Sequence, residues 1–413
     1  MTRAVAGALV VAGALVVAGP AARTAAGPAG AAEGTCSDSP GALVNTRPPA
    51  LLQLSALDAW RTATGAGVVV AVVDSGVDAD SPHFSGTVLP GVDLVGLDDD
   101  PTGRSDTLGH GTAMAGAIAA RKVEGSGVVG VARDAQVLPV RVYYDEGDRA
   151  EELGVQPTPE RIAAGITWAV DHGADVVNVS VSTLDDDPSL RQAVAHAAER
   201  RVLVVASAGN RDTADDKSDG PRYPAAYDGV LGVAAVDRNL APTDASIHGE
   251  HVDVAAPGQD VVTTYPGGGD CIMASEAASP SFATAYVSAA AALLAQRHPD
   301  EGPQEWAYRL EVTAARPAAD ARDDEIGWGV VRPDAALAFV DDGTAPGPTS
   351  PTHPRPQVEP VDLGSVEVTE QVDPLAAARS SAAWWLLAGT AAVGASALSW
   401  RLVRPARRRG RTS

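Results

Sequence analysis

Three patches of this sequence carry the residue types of a nucleophilic hydrolase. "VVDSGVD" (72–78) places Asp74 at the end of an apolar run, and "GHGTAMAGAIAA" (109–120) sets His110 between glycines ahead of a small-residue stretch. "ASPSFATAYVS" (278–288) holds Ser281 in front of another apolar stretch. Serine is a weak nucleophile because its hydroxyl is protonated near neutral pH. An imidazole must take that proton, and a carboxylate must orient the imidazole and stabilise its charged form. Each patch alone is ambiguous. An Asp at a strand end often caps the next helix, and a lone His is more often structural than catalytic. Together, in the order Asp, His, Ser, they follow one of the known chain orders of convergent triads.

Those side chains need a rigid frame. "GVVVAVVD" (67–74), "QVLPVRV" (136–142), "DVVNVSV" (175–181), "VLVVASAGN" (202–210) and "VLGVAAV" (230–236) are continuous apolar, β-branched runs. Such runs predict strands buried on both faces, as in a parallel sheet. Helical periodicity lies between them. Ile162, Ile166, Ala169 and Val170 share one face, and so do Leu190, Val194 and Ala197 or Ala198. Alternating strand and helix predicts an α/β fold with a mostly parallel sheet flanked by helices on both faces. Functional groups then gather at the carboxyl ends of the strands.

The three patches resemble the signatures of subtilisin-like serine proteases: "AVVDSGVD", "GHGTAMAG" and "SFATAYVSAAAALL". The likeness continues through "GADVVNVSVS", "VLVVASAGN", "VDVAAPGQDV" and "IGWGVVRPDAALA", over roughly residues 50–340. It implies a triad of Asp74, His110 and Ser281. It also implies that Asn210, in "SAGN", and the Ser281 N–H hold the oxyanion. Residues near Gly127–Val131 and Ser180–Ser182 are expected to line the substrate cleft. No cofactor and no metal are implied. The acidic stretches at 97–101 and 184–188 read as solvated loops, since no EF-hand spacing appears.

Two departures stand out. Ser279-Pro280 precedes Ser281 where the family usually has Gly-Thr, and Ala285 stands where it usually has Pro. Pro280 suits the first position of a helix. It pushes Ser279 toward the extended dihedrals of an N-cap. On that reading Ser281 keeps a free hydroxyl and a free N–H.

The ends of the chain predict location. Residues 1–32 read as a secretory signal peptide: Arg3, an apolar stretch over 4–19, then small residues. Residues 33–50 form an N-terminal extension bearing Cys36, and 51–341 the catalytic domain. The Pro-rich segment 342–380 reads as an extended linker. Residues 381–400 contain no charge and are long enough to span a bilayer, with Trp384, Trp385 and Trp400 near the edges. Six arginines lie in the basic tail, 401–413. The positive-inside rule then leaves the tail cytoplasmic and the catalytic domain outside. A buried soluble helix is the alternative for the apolar stretch. The two cysteines, Cys36 and Cys271, predict one disulfide in an oxidising compartment.

This layout resembles the mycosins, membrane-anchored subtilisin-like proteases of actinobacterial type VII secretion systems. The resemblance implies exported protein or peptide substrates and partnership with a secretion complex in the same membrane. Two rivals remain at this level: a protease fold kept as a scaffold, and a general surface protease. The net charge of −22 argues against nucleic-acid binding.

Overall fold

The computed structural model describes residues 41–97, 100–214, 216–354 and 375–403. The described strands are β1 (Val69–Asp74), β2 (Val92–Asp93), β3 (Gln136–Arg141), β4 (Val176–Val179), β5 (Leu203–Ser207), β6 (Val230–Val236), β7 (Val254–Pro257), β8 (Val261–Tyr265) and β9 (Gly269–Met273). The first seven form one sheet in the order β2-β3-β1-β4-β5-β6-β7, and every pair is parallel. β8 and β9 make a separate antiparallel hairpin.

The β-branched runs are strands because both of their faces are covered. Along β1, Val70 and Val72 enter one core, while Ala71 and Val73 enter the other. That alternation is the period of two of a pleated strand. The helices His110–Ala119 and Pro280–Arg297 cover the first face. Pro159–Asp171 and Pro188–Glu199 cover the second. The faces expected for these last two are buried: Ile162, Ile166, Ala169 and Val170 on one, Leu190, Val194 and Ala197 on the other. Each begins with proline after a side-chain cap. Thr158 accepts from Arg161 N, and Asp187 from Ser189 N and Leu190 N. The acidic run at 184–188 therefore contains a helix cap.

β1 lies between β3 and β4, where the chain reverses its direction of travel across the sheet. The crevice outside the carboxyl ends of β1 and β4 is thus the topological switch point, the usual ligand site of such sheets.

The Pro-rich segment is not extended at its start. Asp341 gathers hydrogen bonds from Ser350 Oγ, from Thr352 Oγ1 at 2.8 Å and from Gly343 N at 3.1 Å. Arg316 donates to Pro346 O at 3.3 Å. Ser350 is buried. Asp341 supplies local partners that proline-rich composition alone does not announce, so residues 341–354 turn back on themselves.

Chain contacts separate a second unit, residues 356–413. Its described part is the helix Ala376–Val403, in which Ala377–Leu402 is long and apolar enough to cross a membrane. The signal-peptide segment, Cys36, most of the linker and the tail beyond Val403 lie outside the described residues.

Candidate active site

Asp74 ends β1 and is fully buried. His110 opens the helix His110–Ala119, with Gly109 as N-cap at φ 90. The turn into this helix is fixed by Asp106, whose carboxylate accepts from Gly109 N at 2.9 Å, Thr112 N at 2.9 Å and Thr112 Oγ1 at 2.7 Å. A negative charge there also complements the positive end of the helix dipole. Burial nevertheless raises the Asp106 pKa against these bonds. Ser75 Oγ ties the arrangement to β1, donating to Asp106 Oδ1 at 3.0 Å and accepting from Gly111 N at 3.0 Å. Close approach needs a glycine here. A Cβ on Gly111 would stand 2.1 Å from the Gly76 carbonyl oxygen and 3.1 Å from Asp74 Cβ.

His110 Nδ1 and Asp74 Oδ1 are 2.8 Å apart. Desolvation pulls the His110 pKa down, but the Asp74 charge and hydrogen bond push it up to about 9. The imidazole is 16% exposed, so its desolvation is partial, and the ion pair prevails.

Ser281 is the second residue of the buried helix Pro280–Arg297. Ser279 before it is extended, at φ −121 and ψ 125, as a residue ahead of proline prefers. The expected Ser279 side-chain cap does not form. Pro280 has no N–H to offer, and Ser279 is held by its backbone instead. Its N–H donates to Gly258 O at 2.9 Å, and its carbonyl accepts from Ala283 N at 3.4 Å. Among the described residues the Ser281 N–H meets no acceptor.

The ring of Phe282, next in sequence to Ser281, lies 6.4 Å from the His110 ring, centre to centre. Ser281 Oγ donates to Ser180 O at 3.1 Å, and Ser180 Oγ donates back to Ser281 O at 3.1 Å. Ser180 immediately follows β4, which brings this residue of the expected cleft lining beside Ser281. Asn210 follows β5. Its Oδ1 accepts from Asp212 N at 3.0 Å, and its Nδ2 has no partner among the described residues.

Gly127–Val131 does not line this site. Gly127 N donates to Val44 O, Gly130 N to Ala120 O and Val131 N to Ala117 O. The segment therefore packs on the far end of the His110 helix, about 15 Å along its axis from His110. The N-terminal extension occupies the ground beside it: a Cβ on Gly127 would meet Thr46 O at 2.2 Å.

Sequence motifs do not mark several residues of this site. Asp106 carries one readable signal, an acid just ahead of a helix start. Asn178 accepts from Ser288 Oγ at 3.0 Å and donates to Ser180 Oγ at 3.0 Å, joining β4 to the Ser281 helix. Tyr143, fully buried after β3, donates to Asp74 Oδ1 at 2.9 Å.

Residues 65–329 match the subtilase family of peptidases. The chain belongs to the subtilase family. Mycosin-1 of Mycobacterium tuberculosis is 34% identical to this subtilase over 366 residues, covering 78% of this chain and 80% of that protein. Thermitase of Thermoactinomyces vulgaris is 36% identical over 245 residues, covering 59% of this chain and 81% of that protein. The crystal structure of MycP1 from the ESX-1 type VII secretion system superposes with a TM-score of 0.64 at 30% identity. That match covers 77% of this subtilase and 92% of the crystallised chain. The parallel seven-stranded sheet is the subtilisin-like fold, and the protein is a subtilisin-like serine endopeptidase of mycosin type.

Proposed function

We propose that this subtilase cleaves exported proteins with a triad of Asp74, His110 and Ser281, held to the membrane by one C-terminal span and working with a type VII secretion complex. The observation that carries the reading is the 2.8 Å Asp74–His110 bond at the sheet's switch point, with Ser281 beginning the helix packed beside it. The likeness to mycosin-1 and to MycP1 supports the secretion partnership.

In this reading the Ser281 hydroxyl leaves Ser180 O when substrate enters and turns to His110 Nε2. Oγ attacks the scissile carbonyl carbon as its proton passes to Nε2. The oxyanion is taken up by the Ser281 N–H and by Asn210 Nδ2. The positive end of an 18-residue helix favours that charge. His110 then gives the proton to the departing amine, and water releases the acyl group by the same steps in reverse.

A fluorophosphonate probe tests this directly. Wild-type protein is expected to label. Ser281→Ala is expected not to, and His110→Ala to label almost as poorly, because the two act as one unit. Asn210→Ala is expected to slow hydrolysis by about 10²–10³-fold. For the anchoring, protease treatment of intact spheroplasts is expected to release the domain before the span and to spare the arginine tail. The scaffold reading has one observation in its favour, the Ser281 hydroxyl engaged with Ser180 rather than His110. An unlabelled wild type would select it.

A further inference from the structure

Asp74 Oδ1 receives three donors: Ser75 N at 2.8 Å, His110 Nδ1 at 2.8 Å and the Tyr143 hydroxyl at 2.9 Å. The other oxygen, Oδ2, is buried and has no partner among the described residues. The Tyr143 hydroxyl oxygen also lies 3.1 Å from His110 Nδ1. Three polar atoms thus form a closed triangle under the imidazole. We propose that Tyr143 is a positioning residue of the catalytic site, holding Asp74 Oδ1 toward His110 and weakening the grip of that oxygen on the imidazolium.

Sequence and packing fix Tyr143 there. It lies two residues beyond the end of β3, whose last residue, Arg141, is registered against Asp74. Val142 N donates to Asp74 O at 2.8 Å and carries the ladder one step further. The next residue, Tyr144, is clamped from outside the site. Its hydroxyl accepts from Arg141 at 2.6 Å and donates to Asp93 Oδ2 at 2.9 Å. Beyond the end of β3 the alternation lapses, and the neighbours Val142 and Tyr143 are both fully buried in the core that includes Ala71, Val73 and Val179. With no exposed surface it cannot serve as a substrate contact, so its hydroxyl acts through Asp74. Burial, and then the Asp74 charge, raise the Tyr143 pKa well above that of a free phenol. The hydroxyl therefore stays protonated through the working range and remains a donor.

A hydroxyl donating to a carboxylate stabilises its charge and lowers its basicity. The same oxygen then binds the imidazolium less strongly than a lone carboxylate would. This matters because the Asp74 charge raises the pH at which His110 loses its proton and becomes able to take one from serine. The charged and titratable groups around His110 are Asp74 on β1, Asp106 before its helix, and Tyr143 and Glu146 after β3. Arg141 lies beneath, bonded to Ser75 O at 3.1 Å. The Ser281 helix presents the uncharged Phe282 ring. Of these, Tyr143 is the neutral donor bonded to Asp74.

The inference rests on the triad reading, and its test separates the two. Tyr143→Phe keeps the ring and removes only the hydroxyl. In the full-length protein in detergent, kcat is expected to fall about tenfold with KM unchanged, the loss of one charge-assisted hydrogen bond. The acid limb of the pH–kcat/KM profile is expected to move to higher pH. His110 followed by NMR of carbon-13-labelled histidine should titrate at higher pH than in wild type. A Tyr143→Phe protein with wild-type kcat and an unmoved His110 titration overturns the proposal, and so does one that loses only thermal stability. A wild-type chain without hydrolytic activity sinks the triad reading alone, since the His110 titration still decides the role of Tyr143.

Discussion

Ser281 and Ser180 exchange two hydrogen bonds, each hydroxyl donating to the other's carbonyl at 3.1 Å. The helix that carries Ser281 is therefore stitched to the carboxyl end of β4. Asn178 extends the stitch by accepting from Ser288 Oγ, two turns further along the helix, and donating to Ser180 Oγ. The two elements that carry Ser281 and Ser180 share one buried polar chain, and such chains are stable only when every member is satisfied.

Asn178→Ala should expose that dependence. It leaves the Ser288 hydroxyl without its acceptor and the Ser180 hydroxyl without a donor, both in a buried setting. An unsatisfied buried polar group costs about 1–3 kcal/mol. The expected outcome is a lower denaturation midpoint and a kcat reduced more than KM is raised. Chemical denaturation with parallel peptide hydrolysis measures both. Unchanged stability would mean that the chain is not a structural unit.

The pH profile follows from the His110–Asp74 pair. The His110 pKa stands at about 9, against 6.5 for a free imidazole. In the proposed triad His110 must be neutral to act as base, so activity is expected to rise with pH, with its acid limb well above 6.5. The stability contribution of the pair runs the other way. A raised pKa in the folded state contributes in full below about 6.5, where both states are protonated, and is lost as pH climbs through about 9. Denaturation midpoints of wild type and His110→Ala should therefore converge at alkaline pH. An acid limb near 6 would refute the strong pairing.

The parallel frame is legible in the sequence because strands buried on both faces leave continuous apolar runs. "GVVVAVVD" and "VLGVAAV" announce β1 and β6 to within two residues. The two-residue β2 leaves no such run, and the β8–β9 hairpin mixes threonine, aspartate and glycine with its apolar residues. The Asp, His and Ser patches are legible because each has a local signature. Tyr143 is not, because its role depends on Asp74, 69 positions earlier, reached only when β3 pairs with β1. The misplaced Gly127–Val131 segment has the same cause. Local sequence gives a loop, but which end of the His110 helix it meets is a tertiary matter.

A Cys36–Cys271 disulfide is expected to pin the N-terminal extension. Cys271 lies buried in β9 and is not a free thiol. The extension already pairs there, since Asp270 N donates to Ala42 O at 2.8 Å and Val44 N to Asp270 Oδ2 at 2.9 Å. Six residues of extended chain span about 20 Å, ample reach from Ala42 back to Cys36. Closing so long a loop stabilises by up to ~5 kcal/mol in the chain-entropy model. Alkylation of the denatured, unreduced protein is expected to find no thiols, and Cys271→Ser to lower the melting temperature. Two reactive thiols per chain would rule the bond out.

The last prediction concerns Ser279 and Pro280, which stand where subtilases usually carry Gly-Thr. Glycine is indispensable only where φ is positive or a side chain would collide. Ser279 has φ −121, which any residue adopts, and its side chain forms no cap. The crowding falls on its neighbour instead: a Cβ on Gly258 would meet the Ser279 carbonyl oxygen at 2.6 Å. Pro280 occupies the first helical position, where its missing N–H removes no intrahelical bond, and its carbonyl accepts from Thr284 Oγ1 at 2.7 Å. Neither Ser279 nor Pro280 bonds the Ser281 hydroxyl or N–H, and the hydroxyl is held by Ser180 O. Ser279→Gly with Pro280→Thr is therefore expected to change the fluorophosphonate labelling rate only modestly. Thermal stability is expected to fall slightly, because the double variant frees the unfolded chain at both positions. If wild type stays unlabelled while the Gly-Thr protein labels rapidly, the Ser279-Pro280 pair has switched the nucleophile off, and the molecule serves its membrane partners as a scaffold.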